Sequence, residues 1–381
     1  MKKYDELARE WRERKKNMLI DKENPICNWD DTDVLFFREN QGKKITDNNP
    51  YVNILDVEEF ELLLENEPYP LSPPAMARSG NPKSKTGEFF KVMHKEVTGD
   101  EMHYFKDQMI SMERIMKEIK GGAPKPNPEK KMDLHELKGE MKKYAKSLGF
   151  SSVGVTKLDR RYVSAGYENE IAYDTIILLG YEMPKEIIEN YPKPQGELGA
   201  FYAYTGCARN VHKVADFIRD KGYQCQARDW KGGIKYPPHS VNAGLGNYST
   251  YGVCITPEAG TRLKYCAILI DELPIDQPRD FNIEEFCSRC RMCQKSCPSK
   301  SIPKEEKMHK GILKRQTRFA TCFEMMTTDR ECMKCVRVCP FSLFGYEKCM
   351  DTLPEYYRYN LAKEDLDMEF LRGEGEIDGK K

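Results

Sequence analysis

Between Phe286 and Ile302 the chain reads FCSRCRMCQKSCPSKSI, which places Cys287, Cys290, Cys293 and Cys297 at spacings of two, two and three, with Pro298 after the last. No other stretch limits the fold as much, because this run cannot satisfy itself. The pattern C-x2-C-x2-C-x3-C-P wraps three thiolates on one face of a [4Fe–4S] cubane and sends the fourth to a second cluster. A partner is required, and CMKCVRVCP supplies Cys332, Cys335 and Cys339, followed by Pro340. Where internal symmetry would place another cysteine stands Asp329, and Cys322 lies seven residues earlier. Crossing the fourth ligands completes two sets: Cys287, Cys290, Cys293 with Cys339, and Cys297, Cys322, Cys332 with Cys335. Asp329 in place of Cys322 is the alternative, and Cys349 is a spare thiol nearby. Paired CxxC motifs also build four-thiolate zinc sites, but a doubled run ending in Cys-Pro is the more specific pattern.

The chain carries 14 cysteines in 381 residues. The N-terminus, MKKYDELAREWRERKK, has charges but no apolar segment behind them, so the expected location is cytoplasmic and disulfides are not expected. Cys27, Cys207, Cys225, Cys254 and Cys266 lack ligand spacing and read as small buried groups. Lys+Arg and Asp+Glu are both 61, and a chain of zero net charge is a poor nucleic-acid binder. No run approaches the ~18 apolar residues of a membrane span.

The sequence divides into an N-terminal capping region (1–130), an α/β (α+β) domain (131–280), a cluster domain (281–350) and a polar tail (351–381). In the first part, a charged helix is expected over 4–18, the Pro-rich stretch 68–88 is loop, a second helix runs over 99–119, and GGAPKPNPEKK (121–131) is a linker. DLHELKGEMKKYAKSLGF then reads as a helix stopped by Gly149, and SSVGVTKL as a strand. TIILLGYEM has the continuous apolar character of a buried strand. FYAYTGCARNVHKVADFIRDKGY is a long helix with Val211, Val214, Phe217 and Ile218 on one face. YQCQAR, YGVCITP and LKYCAILID complete the strands.

Clusters move single electrons and do not name a reaction, so the acceptor has to lie upstream. In VNAGLGNYSTYGVCITPEAGTRLKYCAILIDELPI (241–275), Gly244, Gly246 and Gly260 read as a platform on which backbone approaches a bulky ligand. His239, just before it, stands as a cofactor or substrate contact. The spacing is not a dinucleotide fingerprint.

The succession FIRDKGY, AGLG, ITPEAGTRLKYCAILIDELPI and the two cysteine motifs resembles the corrinoid-dependent reductive dehalogenases and epoxyqueuosine reductases, over residues of about 130–345. The resemblance implies a nitroreductase-like core holding a base-off cobalamin, with a ferredoxin-like module carrying two [4Fe–4S] clusters over it. It implies corrinoid contacts at Ala243, Leu245, Tyr248 and Pro257 beside the three glycines, and a tyrosine proton donor near the start of the long helix, Tyr204 or Tyr202. A small organic substrate, an organohalide among the candidates, would be reduced with electrons from ferredoxin or flavodoxin, in a monomer or homodimer. One departure stands out. The basic residue expected after AGLG is absent from Asn247-Tyr248-Ser249-Thr250. Arg228, Arg262 and Lys264 are its candidate substitutes, and Tyr248 and Tyr251 are further candidate donors. The competing readings are an electron carrier without catalysis and a flavin-binding variant.

Overall fold

A computed structural model describes residues 103–351 apart from 120–122, 128, 130, 164–166, 168–169, 192–197, 230–232, 310, 319–320, 323–324 and 326–331. The expected helix over 4–18, the loop over 68–88, Cys27, Asp329 and the tail beyond 351 lie outside the described residues. The elements are α1 (His103–Lys117), α2 (Leu134–Ser147), β1 (Phe150–Lys157), β2 (Thr175–Glu182), α3 (Lys185–Glu189), α4 (Leu198–Asp220), β3 (Cys225–Arg228), α5 (Tyr236–Asn242), β4 (Asn247–Tyr248), β5 (Cys254–Ile255) and β6 (Leu263–Ile270). The cysteine-rich part adds α6 (Ile283–Cys290), α7 (Met292–Ser296), the hairpin β7 (Lys307–His309) and β8 (Ile312–Lys314), α8 (Lys334–Arg337) and α9 (Pro340–Phe344).

Local chemistry explains α2. The Asp133 carboxylate accepts the backbone N–H groups of His135 at 2.8 Å and Glu136 at 3.1 Å, a cap that contributes about 1 kcal/mol. Leu137, Met141 and Ala145 recur at helical spacing and are fully buried. Gly149 ends the helix at φ +96°, where a side chain would be strained.

The next strand begins at once and leads into a four-stranded sheet ordered β1-β2-β6-β3. Every pairing is antiparallel, with Val155 opposite Ile177 and Ile177 opposite Ile268. One face packs Val155, Ile177 and Ile268 under α2 and α4, against Met141, Val211, Val214 and Ile218. The other face packs Ile176, Leu178, Ala267 and Leu269 against Ile234, Tyr236 and Ala243. Burial on both faces is why TIILLGYE and LKYCAILI read as unbroken apolar runs instead of alternating ones. The mixed helix-and-sheet class is as expected. The strand expected at YGVCITP is reduced to the two residues of β5, because Gly252 and the Thr256–Gly260 bridge turn the chain on either side.

The stretch read as a linker is docked. The backbone N–H of Asn127 donates to the Arg219 carbonyl at 2.9 Å, and that of Met132 to the Lys221 carbonyl at 3.3 Å, so the segment satisfies carbonyls that the end of α4 leaves open. Ahead of it, α1 lies along α4, where Ser111 Oγ meets His212 Nε2 at 3.0 Å.

His212 is nearly buried. Burial first, and Arg114 second, push its pKa down to about 4, with Glu118 and Asp216 opposing. An unfolded histidine titrates near ~6.5. Between pH ~6.5 and ~4 the unfolded chain therefore holds more protons than the folded one, so the stabilisation is complete above ~6.5 and fades as pH falls. Urea midpoints at pH 7 and 4.5 are expected to show a loss on the order of 3 kcal/mol from this group, and His212→Gln is expected to flatten that part of the profile.

Candidate functional site

The seven cysteines of the two motifs and Cys322 lie near one another. Cys287 and Cys293 each sense the charge of Cys339, Cys290 senses both Cys339 and Cys293, and Cys293 also senses Cys335. Cys322 senses Cys297 and Cys332, and Cys335 senses Cys322, Cys332 and Cys297. Cys339 is thus a neighbour of the first run, and Cys297 of Cys322 and Cys335. Cys349 packs with Cys290 and Cys339, on the side of the first run, as a ninth thiol.

The two crossing cysteines share a local construction. Each precedes a proline that opens a turn or helix, so the backbone N–H groups beyond it point back at sulfur. Cys297 Sγ accepts the Ser301 N–H at 3.3 Å, with the Ser299 hydroxyl at 3.5 Å. Cys339 lies at the start of α9 under the N–H groups of Phe341 and Ser342 and the hydroxyls of Ser342 and Thr261. Burial raises the pKa of Cys297, but these donors outweigh it and the thiol lies below its ordinary value. Burial and neighbouring thiols push Cys287, Cys290, Cys293 and Cys335 up, and Cys322 up to about 12. Four thiolates packed this closely out of water need a cationic centre among them, and an iron–sulfur core is the group whose donor set they match. Among the described residues, no three His, Cys, Asp or Glu side chains close around the position of a single metal ion.

The three glycines of the AGLG and TPEAG stretches lie against backbone. A side chain at Gly244 would meet the Gln277 carbonyl oxygen at 2.2 Å, at Gly246 the Ile255 carbonyl oxygen at 1.8 Å, and at Gly260 the Phe341 carbonyl carbon at 2.7 Å. The space each glycine clears is filled by the protein's own backbone. Ala243 and Leu245 face Gly154 of β1 in the same way, each 2.9 Å from the place of a side-chain carbon there. Pro257 is half-buried in the turn closed by Thr256 and Gly260. That turn seats the sheet on the second cysteine motif. Thr261 Oγ1 meets Ser342 Oγ at 2.9 Å, and Arg262 donates to the Ser342 and Met183 carbonyls and pairs with Glu182.

His239 is likewise engaged within the protein. It is fully buried, its Nδ1 donates to the Lys235 carbonyl at 2.8 Å, and its Nε2 accepts the Asp159 backbone N–H at 3.0 Å. Both ring nitrogens are used inside the protein, and burial holds the ring neutral by lowering its pKa. Tyr248 stays open to a ligand. Its hydroxyl is buried without a hydrogen-bond partner, and the Lys314 ammonium lies 5.1 Å from its ring centroid. A corrinoid therefore fits the residues assigned to it in part: Tyr248 offers a polar group, while His239, Ala243, Gly244, Leu245, Gly246 and Gly260 are committed to packing.

Of the tyrosine donors, Tyr202 is 41% exposed and leans on Tyr181 at 6.0 Å. Tyr204 is half-buried, with the Lys264 ammonium 4.7 Å from its ring centroid. It packs with Met183, Ala200 and Ala203 and with Met333 and Val336 of the second cysteine motif. Lys264 alternates along β6 with Leu263 and Tyr265, which face Ala243 and Leu245. Tyr204 thus packs beside the second cysteine motif. Of the three cations proposed to replace the missing basic residue, Lys264 reaches a tyrosine donor, whereas Arg228 is paired with Glu170 at 2.8 Å and Arg262 holds the cysteine motif. Tyr251, read from sequence only as a spare donor, lies among cysteines of both motifs.

The fold is similar to that of solved reductive dehalogenases. A B12-dependent dehalogenase structure superposes with a TM-score of 0.58 at 19% identity, covering 74% of this chain and 43% of that one. The catabolic reductive dehalogenase NpRdhA gives 0.57 at 20% identity, over 77% and 45%. The sequence has relatives among both groups that it resembles. Tetrachloroethene reductive dehalogenase of Sulfurospirillum multivorans is 28% identical over 180 residues, 44% of this chain and 36% of that protein. The Desulfitobacterium hafniense enzyme of the same name is 32% identical over 133 residues, 35% and 24% of the two. Epoxyqueuosine reductase of Vibrio cholerae is 24% identical over 263 residues, 56% and 69%. The chain is thus a relative of these reductases, and its matches span about a quarter to a third of the length of the dehalogenases. No family model matches it. Among the described residues no helix is long and apolar enough to cross a membrane.

Proposed function

We propose that this protein is an iron–sulfur oxidoreductase that passes electrons one at a time through two [4Fe–4S] clusters and spends them in the reductive cleavage of a small organic molecule. The crossed grouping of eight thiols carries the reading. Cys287, Cys290, Cys293 and Cys339 hold one cluster, and Cys297, Cys322, Cys332 and Cys335 the other, in a ferredoxin-like module that spans 281–350. A soluble ferredoxin or flavodoxin is the electron donor in this reading, and organohalides, the substrates in its relatives' names, are the first class to test. Kinship with a B12-dependent dehalogenase and the orphan Tyr248 hydroxyl support a corrinoid beside the clusters, which when bound supplies a low-valent cobalt that cleaves the substrate bond.

This chain's own residues supply the proton. Tyr204 lies beside the second cysteine motif, where electrons leave the clusters. The overall change adds two electrons and one proton to the substrate and releases the leaving group as an anion.

Anaerobic purification from a cobalamin-supplemented host, followed by metal analysis, tests the reading. About eight irons and one cobalt per chain are expected. Eight irons without cobalt, even after reconstitution, would remove the corrinoid and leave an electron carrier or a flavin enzyme. In the loaded enzyme, Tyr204→Phe is expected to lower kcat by about 10²–10⁴-fold with iron and cobalt unchanged.

A further inference from the structure

We propose that Tyr251 is a positioning residue for electron transfer, set between the two clusters and donating its hydroxyl to sulfur of the cluster held by Cys297, Cys322, Cys332 and Cys335. The inference rests on the two-cluster reading. Tyr251 is 8% exposed and packs in one buried group with Cys297 and Ile302, against Cys293 and Cys335. Its neighbours therefore include a ligand of the first cluster and two of the second. Cys335, then Cys339, then Cys293 are the thiols whose charge it senses.

Its hydroxyl is buried and meets no acceptor at normal hydrogen-bond geometry, the Thr261 hydroxyl being its polar neighbour. The neighbouring Thr261 hydroxyl is engaged with Ser342 at 2.9 Å. A buried phenol without a good acceptor is destabilising. Sulfide or thiolate sulfur of a bound cluster is an acceptor that removes the cost.

The backbone around the ring is held on both sides, so the side chain has one place to go. Thr250 Oγ1 donates to the Cys287 carbonyl at 2.9 Å, and the Tyr251 carbonyl accepts from Thr317 Oγ1 at 2.7 Å. Gly252 turns the chain at φ +84°, with the Arg315 carbonyl oxygen 2.6 Å from where a side chain would begin. The segment after AGLG is thus clamped between the first cysteine run and the strand leading to Cys322.

A hydrogen bond to cluster sulfur stabilises the reduced, more negative state and raises the potential. Tyr251 accordingly makes the second cluster easier to reduce than it would be without this donor. The test is an EPR-monitored redox titration of the iron-loaded protein and of Tyr251→Phe, which keeps the ring and removes the donor. One midpoint potential is expected to move to a more negative value and the other to stay, with iron and sulfide unchanged. Proton ENDOR of the reduced wild type is expected to show an exchangeable coupling that Tyr251→Phe lacks. Tyr248→Phe, which also removes a buried hydroxyl, is expected to leave both potentials in place. Unchanged potentials in Tyr251→Phe with intact clusters would overturn the proposal, as would loss of iron, which assigns the residue a structural role. A wild type that takes up no cubane iron would instead overturn the cluster reading, and the proposal with it.

Discussion

Cys339→Ser is expected to abolish the cluster built by the first cysteine run, although Cys339 belongs to the second motif. Iron falls from about eight to about four per chain, and the surviving EPR signal is that of the cluster bound by Cys297, Cys322, Cys332 and Cys335. Cys297→Ser is expected to give the reverse, losing the second cluster and keeping the first. The crossing is what makes these outcomes diagnostic. If each run held its own cluster, each substitution would remove the cluster of its own run and the two surviving spectra would be exchanged. The physical basis is the Cys-Pro turn. Proline opens the next turn without an N–H of its own, and the following amides fold back on sulfur; they hold Cys297 below its ordinary pKa, while at Cys339 burial outweighs them. Cys349 lies beside Cys339 and Cys290, so Cys339→Ser combined with Cys349→Ser keeps a ninth thiol from filling the vacancy.

What the sequence disclosed and what it hid follow from how far each interaction reaches. The stop of α2 at Gly149 is local, a matter of one residue's backbone, and it was legible. So were the strands, whose apolar runs report burial on both faces whichever strand lies alongside. The cysteine spacings lead to the proposed cluster sets because a cubane dictates ligand geometry over a few residues. The AGLG stretch misled for a definite reason. A glycine reveals that a side chain is excluded and not what excludes it, and Gln277, Ile255 and Phe341 backbone occupies the three spaces. His239 misled similarly, since the Asp159 amide that satisfies it is 80 residues away. No local pattern marks Lys264 as the cation over Tyr204, because the contact joins β6 to the first turns of α4. Tyr251 shows its position only when both cysteine motifs are folded around it.

Glu118→Ala is expected to destabilise the folded protein by about 3 kcal/mol, read as a lower urea midpoint at pH 7. Glu118 and Arg219 are each 3% exposed and meet at 2.7 Å, joining the end of α1 to the end of α4. Removing one partner of a buried pair leaves the other charge without compensation, which is why the cost exceeds the worth of a surface pair, about 0–1 kcal/mol. Arg219 keeps two other partners, Asp216 at 3.1 Å and the Cys225 carbonyl at 2.9 Å, and these hold the loss to the lower part of the usual range. Replacing both residues by apolar ones of similar size, Glu118→Leu with Arg219→Met, is expected to recover part of the stability, since neither charge then has to be desolvated. Iron content is expected to stay unchanged in both variants, because α1 and the end of α4 hold none of the ligating thiols.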